Sequence, residues 1–264
     1  MNFSVCLRDL RASESHFELA PKFGHAPSLR RCINRFSSFA YALSFDPMFI
    51  EQLQKDPRFF FAMLITIVVS ICLHELAHGF AAIWLGDRTP IESGHMTLSP
   101  IVHMGIASLI CLLLAGIAWG AMPVNPSRQR GKYAQAIVAA AGPAMNILLA
   151  ILALTSLGLW MRFDTRPVSE LSEPLVNLQY LLRVFGWANV LLALFNLIPL
   201  PPLDGSRILA NFSEGYGRLL SGLLAYSPMA ILQISVLVFS IAGTAISPVA
   251  GKLAFGYLSL VRGF

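Results

Sequence analysis

What constrains this chain most is an apolar run over residues 59–85, interrupted only by His74, Glu75 and His78. At 1.5 Å per residue a helix of that length crosses about 30 Å of hydrocarbon with residues to spare. The bilayer is therefore the solvent in which the fold has to be read. Composition agrees: 56% of the residues are hydrophobic and 12% charged, where a soluble domain carries about 25% charged residues. Further apolar runs cover residues 134–160, 180–200 and 228–246, with shorter pieces at 106–122 and 219–226. The expected fold is all-α, a polytopic membrane helix bundle of about 4–6 transmembrane or re-entrant segments. No repeat of fixed period points to a solenoid or an inverted-repeat transporter.

The formal charge of +5 would suit a nucleic-acid partner if it were stacked on one face, but the Lys and Arg residues are scattered over several polar segments. Their expected task is to orient the chain in the membrane, and no nucleic acid is expected as a partner. Residues 1–58 form a polar segment without helical periodicity, expected to be poorly ordered, ahead of a membrane domain over 59–264. It has no uncharged stretch of the length a secretory signal needs. Asp9, Glu14 and Glu18 argue against a transit peptide, and Met48 is an alternative initiator. Cys6, Cys32, Cys72 and Cys111 show no ligand spacing. Cys72 and Cys111 read as small buried hydrophobes.

His74-Glu75-Leu76-Ala77-His78 has the spacing that sets two imidazoles about 40° apart on one helix, where both can bind a single Zn2+. Glu75 beside them is placed to take a proton from the attacking water and pass it to a leaving amine. On a soluble helix the same pattern is often no more than a polar face. In the middle of an apolar run, two imidazoles and a carboxylate are costly unless paired, metal-bound or facing water. A metal site within the bilayer meets that condition.

A catalytic zinc takes three protein ligands. Apart from Glu75, the acid that lies within or at the end of a later span is Asp204, in the stretch Asn196-Leu197-Ile198-Pro199-Leu200-Pro201-Pro202-Leu203-Asp204-Gly205. Its prolines cannot continue a regular helix, and irregular backbone at membrane depth is tolerated where it lines a cavity or is covered by protein. Asp204 is the candidate third ligand. An interfacial Asp-Gly turn closing a helix is the other reading of the same residues.

With HELAH at residues 74–78, AAGPAMN at 140–146 and NLIPLPPLDG at 196–205, the chain resembles the site-2 protease family of intramembrane metalloproteases, peptidase family M50. The likeness covers about residues 59–210 and is to the compact bacterial branch, without a PDZ or CBS domain. It implies zinc ligation by His74, His78 and Asp204, catalysis by Glu75, and hydrolysis of a peptide bond in a membrane-protein substrate. It also implies an integral multi-pass protein in the lipid bilayer of a bacterial plasma membrane. Asn196 matches a position that implies contact with substrate or the reacting carbonyl, which its amide donors could make. Asn146 lies in the second matching segment, where packing or an interhelical hydrogen bond reads as well as substrate contact. The branch often follows the histidine at His103 with apolar-Asp-Pro, whereas Met104-Gly105 stands here, so no role passes to His103. The alternative function is a non-catalytic membrane metal-binding protein or scaffold of the same fold, which would need the ligands but not Glu75.

One topological expectation follows. His74 and Asp204 each lie toward the C-terminal end of their helices, so those helices must run parallel to meet at one metal. The run at 134–160 supplies the single crossing between them. Residues 106–122 should then re-enter rather than cross, leaving 86–90 and 128–132 on one side, with that basic cluster in the cytoplasm.

Overall fold

The computed structural model describes residues 49–164, 166–226 and 228–263, and their side chains outside 223–244. Residues 1–48, and the expectations placed on them, lie outside the described residues. Helical structure is present from Phe49. A 3-10 turn over Phe49–Glu51 and helix α1, Gln52–Lys55, lead into α2, Pro57–Trp84. Asp56 caps α2 by accepting from the Phe59 amide at 3.0 Å, and Pro57 stands at the first helical position, where its missing N–H is not needed. The polar segment expected over 1–58 thus gives way to helix before its expected end.

Every regular element among the described residues is helical. Beyond α2 the chain forms α3, Thr89–Glu92; α4, Pro100–Ala115; α5, Ala134–Phe163; α6, Glu173–Asn196; α7, Asp204–Phe212; α8, Glu214–Tyr226; and α9, Pro228–Arg262. By length and composition α2, α5 and α6 can cross a membrane. Helix α9, with 35 residues, is longer still and continues past the expected stop at 246, through Pro248. Helix α6 begins earlier than the apolar run, at Glu173, with Pro174 in its first turn. It ends at Asn196 because the prolines that follow cannot extend it.

Side-chain contacts fix the directions of the helices. Arg58 pairs with Glu173 at 2.9 Å and Ser70 meets Asn189 at 2.8 Å, so α2 and α6 run parallel. Between them α5 runs the other way: His78 bonds the Val138 carbonyl, and His74 bonds Asn146 further along. The C-terminal part of α9 packs on α5 through Thr155 and Tyr257, 2.8 Å apart, and through Leu258 and Val261 against Gly158. The outer faces carry large apolar side chains. Phe61, Ile65, Val69, Phe80 and Trp84 on α2 and Ile147, Leu148, Ile151 and Leu152 on α5 are exposed, while Thr66, Ser70, His74, Glu75 and His78 on α2 and Asn146 on α5 are buried.

Segment 106–122 does not cross. Gly105, at φ 69°, breaks α4 and leaves a helix over 106–115, about 15 Å long and half of what crossing needs. Gly116, at φ 71°, ends it with its Cα against Phe49, which stacks on Phe60 near the start of α2. The chain returns without regular secondary structure. Ser108 Oγ accepts from the Trp119 amide at 2.8 Å and donates to the Trp119 carbonyl at 2.7 Å, and the Ala121 amide donates to the His103 carbonyl at 2.9 Å. The hairpin closes where it left. The Arg130 amide donates to the Leu85 carbonyl at 2.8 Å, and Arg128 pairs with Glu92. Residues 86–90 and 128–132 therefore share a side.

Candidate active site

Four residues along α2, His74 and His78 turn the same way, and both are buried, as is Glu75 between them. Their Nε2 atoms lie 3.0 Å apart. Asp204 comes to them from the far side of the bundle. Its Oδ2 is 3.1 Å from His74 Nε2 and 3.4 Å from His78 Nε2. Zinc bonds of about 2.0–2.2 Å at tetrahedral angles separate donor atoms by about 3.3–3.5 Å, so the three donors fit one ion.

What delivers Asp204 is the break after α6. The chain turns through 197–203, the Leu203 amide donating to the Leu200 carbonyl, and starts α7 at Asp204. A Cβ on Gly205 would lie 2.3 Å from the Leu197 carbonyl oxygen, so only glycine lets α7 nest on this turn. Tyr216 on α8 donates to the Pro199 carbonyl at 2.7 Å and steadies the turn. At the other end of α7, Asn211 accepts from the Ala136 amide in the first turn of α5 and donates to the Lys132 carbonyl. The helix that carries Asp204 is thereby tied to the helix that faces the histidines.

Helix α5 holds the histidines from behind. His78 Nδ1 donates to the Val138 carbonyl at 2.7 Å, and His74 Nδ1 donates to Asn146 Oδ1 at 2.5 Å. Each ring is therefore protonated on Nδ1, which leaves its Nε2 lone pair to face the ion. Gly142 lies between these two anchors. A Cβ there would sit 2.4 Å from both Nε2 atoms, in the space an ion would use. Zinc fits the donor set, the free lone pairs and the room that Gly142 leaves.

Glu75 faces the re-entrant hairpin. Its Oε1 would be 2.6 Å from a Cβ on Gly120, so the returning segment passes close against the carboxylate. His103 is buried in the same hairpin, its Nε2 donating to the Thr97 carbonyl at 2.6 Å.

Sequence reasoning placed His74, Glu75, His78 and Asp204, and the structure brings these four together. Asn146 enters as the partner of His74. Asn196 stays at the end of α6 and donates to its own Leu192 carbonyl at 3.0 Å. Gly120, Gly142, Asn189 and Asp87 carried no role in the sequence reading. Asn189 could have been found, since an amide within an apolar span needs a partner as much as a carboxylate does.

Asp87 anchors the hairpin outside the spans. Fully buried, it accepts from the Asn125 amide at 2.5 Å and from the Thr89 amide and hydroxyl. Burial pushes its carboxyl up, but these donors outweigh it and hold the group below the ordinary carboxylate range.

Residues 62–171 and 166–234 match the model of Peptidase family M50. YwhC of Bacillus subtilis, provisionally named a zinc metalloprotease, is 33% identical over 181 residues, covering 63% of this chain and 81% of the relative. Rip2 of Mycolicibacterium smegmatis, named likewise, is 32% identical over 146 residues, 52% of each chain. Zinc metalloprotease MJ0392 of Methanocaldococcus jannaschii is 28% identical over 190 residues, 72% of this chain and 45% of the relative. The chain spans about half the length of the latter two. No solved structure matches it.

Proposed function

The chain belongs to peptidase family M50 and is an intramembrane zinc metalloprotease; from that premise we propose that it is of the site-2 type, cutting a peptide bond in or near a membrane-spanning segment of another protein. His74, His78 and Asp204 hold the metal in this reading, and Glu75 is the general base and acid. The observation that carries it is the convergence of three donor atoms, 3.0–3.4 Å apart, beside a buried carboxylate inside a bundle whose outer faces are apolar. Zinc, when bound there, supplies a Lewis acid that polarises a peptide carbonyl and acidifies water.

The protein supplies the rest. Val138 and Asn146 orient the imidazoles, and the walls of α2, α5 and α6 keep bulk lipid and water from the donors. Glu75 takes the proton of the attacking water and returns it to the departing amine nitrogen. A protein that only carried metal would have no use for that carboxylate. The expected seat is a bacterial plasma membrane, with the end bearing Arg88, Arg128, Arg130 and Lys132 in the cytoplasm. Asn196 is proposed to reach substrate only after its amide leaves Leu192.

The test is the full chain in detergent, assayed for zinc content and for cleavage of membrane-spanning peptides. Glu75→Gln should keep zinc and lose cleavage by about 10²–10⁴-fold. Cleavage by that variant at the wild-type rate would remove Glu75 from the mechanism.

A further inference from the structure

Behind the metal ligands runs a buried chain of side chains across all three central helices. His74 on α2 donates to Asn146 on α5, and Asn146 Nδ2 donates to Asn189 Oδ1 on α6 at 2.9 Å. Asn189 Nδ2 donates in turn to Ser70 Oγ back on α2 at 2.8 Å and to the Phe185 carbonyl at 2.9 Å. Ser70 and Asn189 are fully buried, and Asn146 is 1% exposed.

The direction of every bond is forced from one end. A backbone carbonyl can only accept, so the nitrogen of Asn189 must face Phe185 and its oxygen must face α5. That oxygen requires the nitrogen of Asn146, which turns the oxygen of Asn146 toward His74. An oxygen in that place requires a proton on His74 Nδ1. The Nε2 lone pair is then left for the metal. Were Asn146 free to flip, its NH₂ would face His74 Nδ1, favour the proton on Nε2, and close that donor to zinc.

We propose that Asn189 is a positioning residue for the metal centre, setting through Asn146 which ring nitrogen of His74 carries the proton. The inference rests on reading His74 as a zinc ligand. A purely structural Asn189 would tie α6 to its neighbours and influence stability alone.

The experiment is zinc affinity by chelator competition, with thermal stability of the metal-free protein, on the full chain in detergent. Asn189→Leu, of the same branched shape though bulkier and without hydrogen-bonding groups, should bind zinc about tenfold to a hundredfold more weakly. Asn146→Ala should show a comparable loss, and the double variant should bind no more weakly than Asn146→Ala alone, since both changes remove one relay. If Asn189→Leu fails to fold, Asn189→Ala gives the same reading. Wild-type zinc affinity in the Asn189 variants, or losses that add fully in the double variant, would overturn the proposal. His74→Ala separates the two levels: retained zinc there refutes the ligand reading itself, whereas lost zinc there with normal affinity in the Asn189 variants refutes only the relay.

Discussion

The same helices build two different interiors. Toward the start of α2 the bundle is filled by Phe60, Met63, Leu154, Val184, Trp187, Ala250 and Ala254. Toward its end, the same α2, α5 and α6 enclose Ser70, His74, Glu75, His78, Asn146 and Asn189, joined by Asp204. In lipid the apolar half gains little from burial as such, because the tails outside are as apolar as the core. Its cohesion comes from close packing, with small residues such as Ala188, Ala250 and Ala254 letting helices approach. The polar half is held by directed bonds and, with zinc, by its ligands. Packing tolerates small shifts, but a donor set that must meet within a few tenths of an ångström does not. Glycines without side-chain room serve both halves: at the metal end Gly142, Gly120 and Gly205 keep space for the ligands, Glu75 and the turn before Asp204, while in the apolar half Gly186 and Gly158 admit Leu154 and Val261.

The sharpest way to break this contrast is Gly142→Ala. Its methyl would lie 2.4 Å from both ligand nitrogens, so zinc affinity should fall by at least about a hundredfold, comparable to loss of an orienting partner or more, and cleavage with it. Chelator competition reads it directly. In the other half, Leu154→Ala should cost about 2–5 kcal/mol of stability and leave zinc affinity near wild type, since Leu154 touches Gly186 and the apolar core rather than the ligands. A loss of zinc affinity in that variant would mean the two interiors are one unit.

Asp87→Ala should cost about 1.5–3 kcal/mol by removing charge-assisted bonds. Because the folded Asp87 carboxyl is held below its ordinary value, its contribution is full above the unfolded value and is lost as pH falls through the folded one. Thermal unfolding in detergent should therefore show the gap between wild type and variant closing below about pH 4. Gly120→Ala should keep zinc but lower turnover about tenfold, near 1.4 kcal/mol, by pushing Glu75 aside. Zinc loss in that variant would place the hairpin among the metal supports. The smallest effect is expected from Arg128→Ala, whose exposed pairing with Glu92 should leave stability and activity unchanged within error.

The helix content, the spans and the two-histidine motif were legible in the chain because each depends on local pattern: runs of apolar residues, a four-residue spacing, prolines that stop α6. The re-entry of 106–122 was legible too, through the demand that His74 and Asp204 approach one metal from parallel helices. Helix ends were less so, since α5, α6 and α9 extend beyond their apolar runs where neighbouring elements supply partners that no local pattern reveals.

What only the tertiary structure decided are relations between distant residues. Nothing near Gly142 in sequence says that two imidazoles from another helix lie against it, and nothing near Gly120 says that Glu75 does. Asn146 was legible as a polar residue in a span, but its role as the acceptor for His74, and the dependence of that role on Asn189, exist only once α2, α5 and α6 are packed. The physical reason is one of range. Hydrophobicity and helix-stopping are properties of neighbouring residues, whereas the direction of a hydrogen bond and the room around a donor atom are set by groups that the chain brings together from 43 to 119 residues apart.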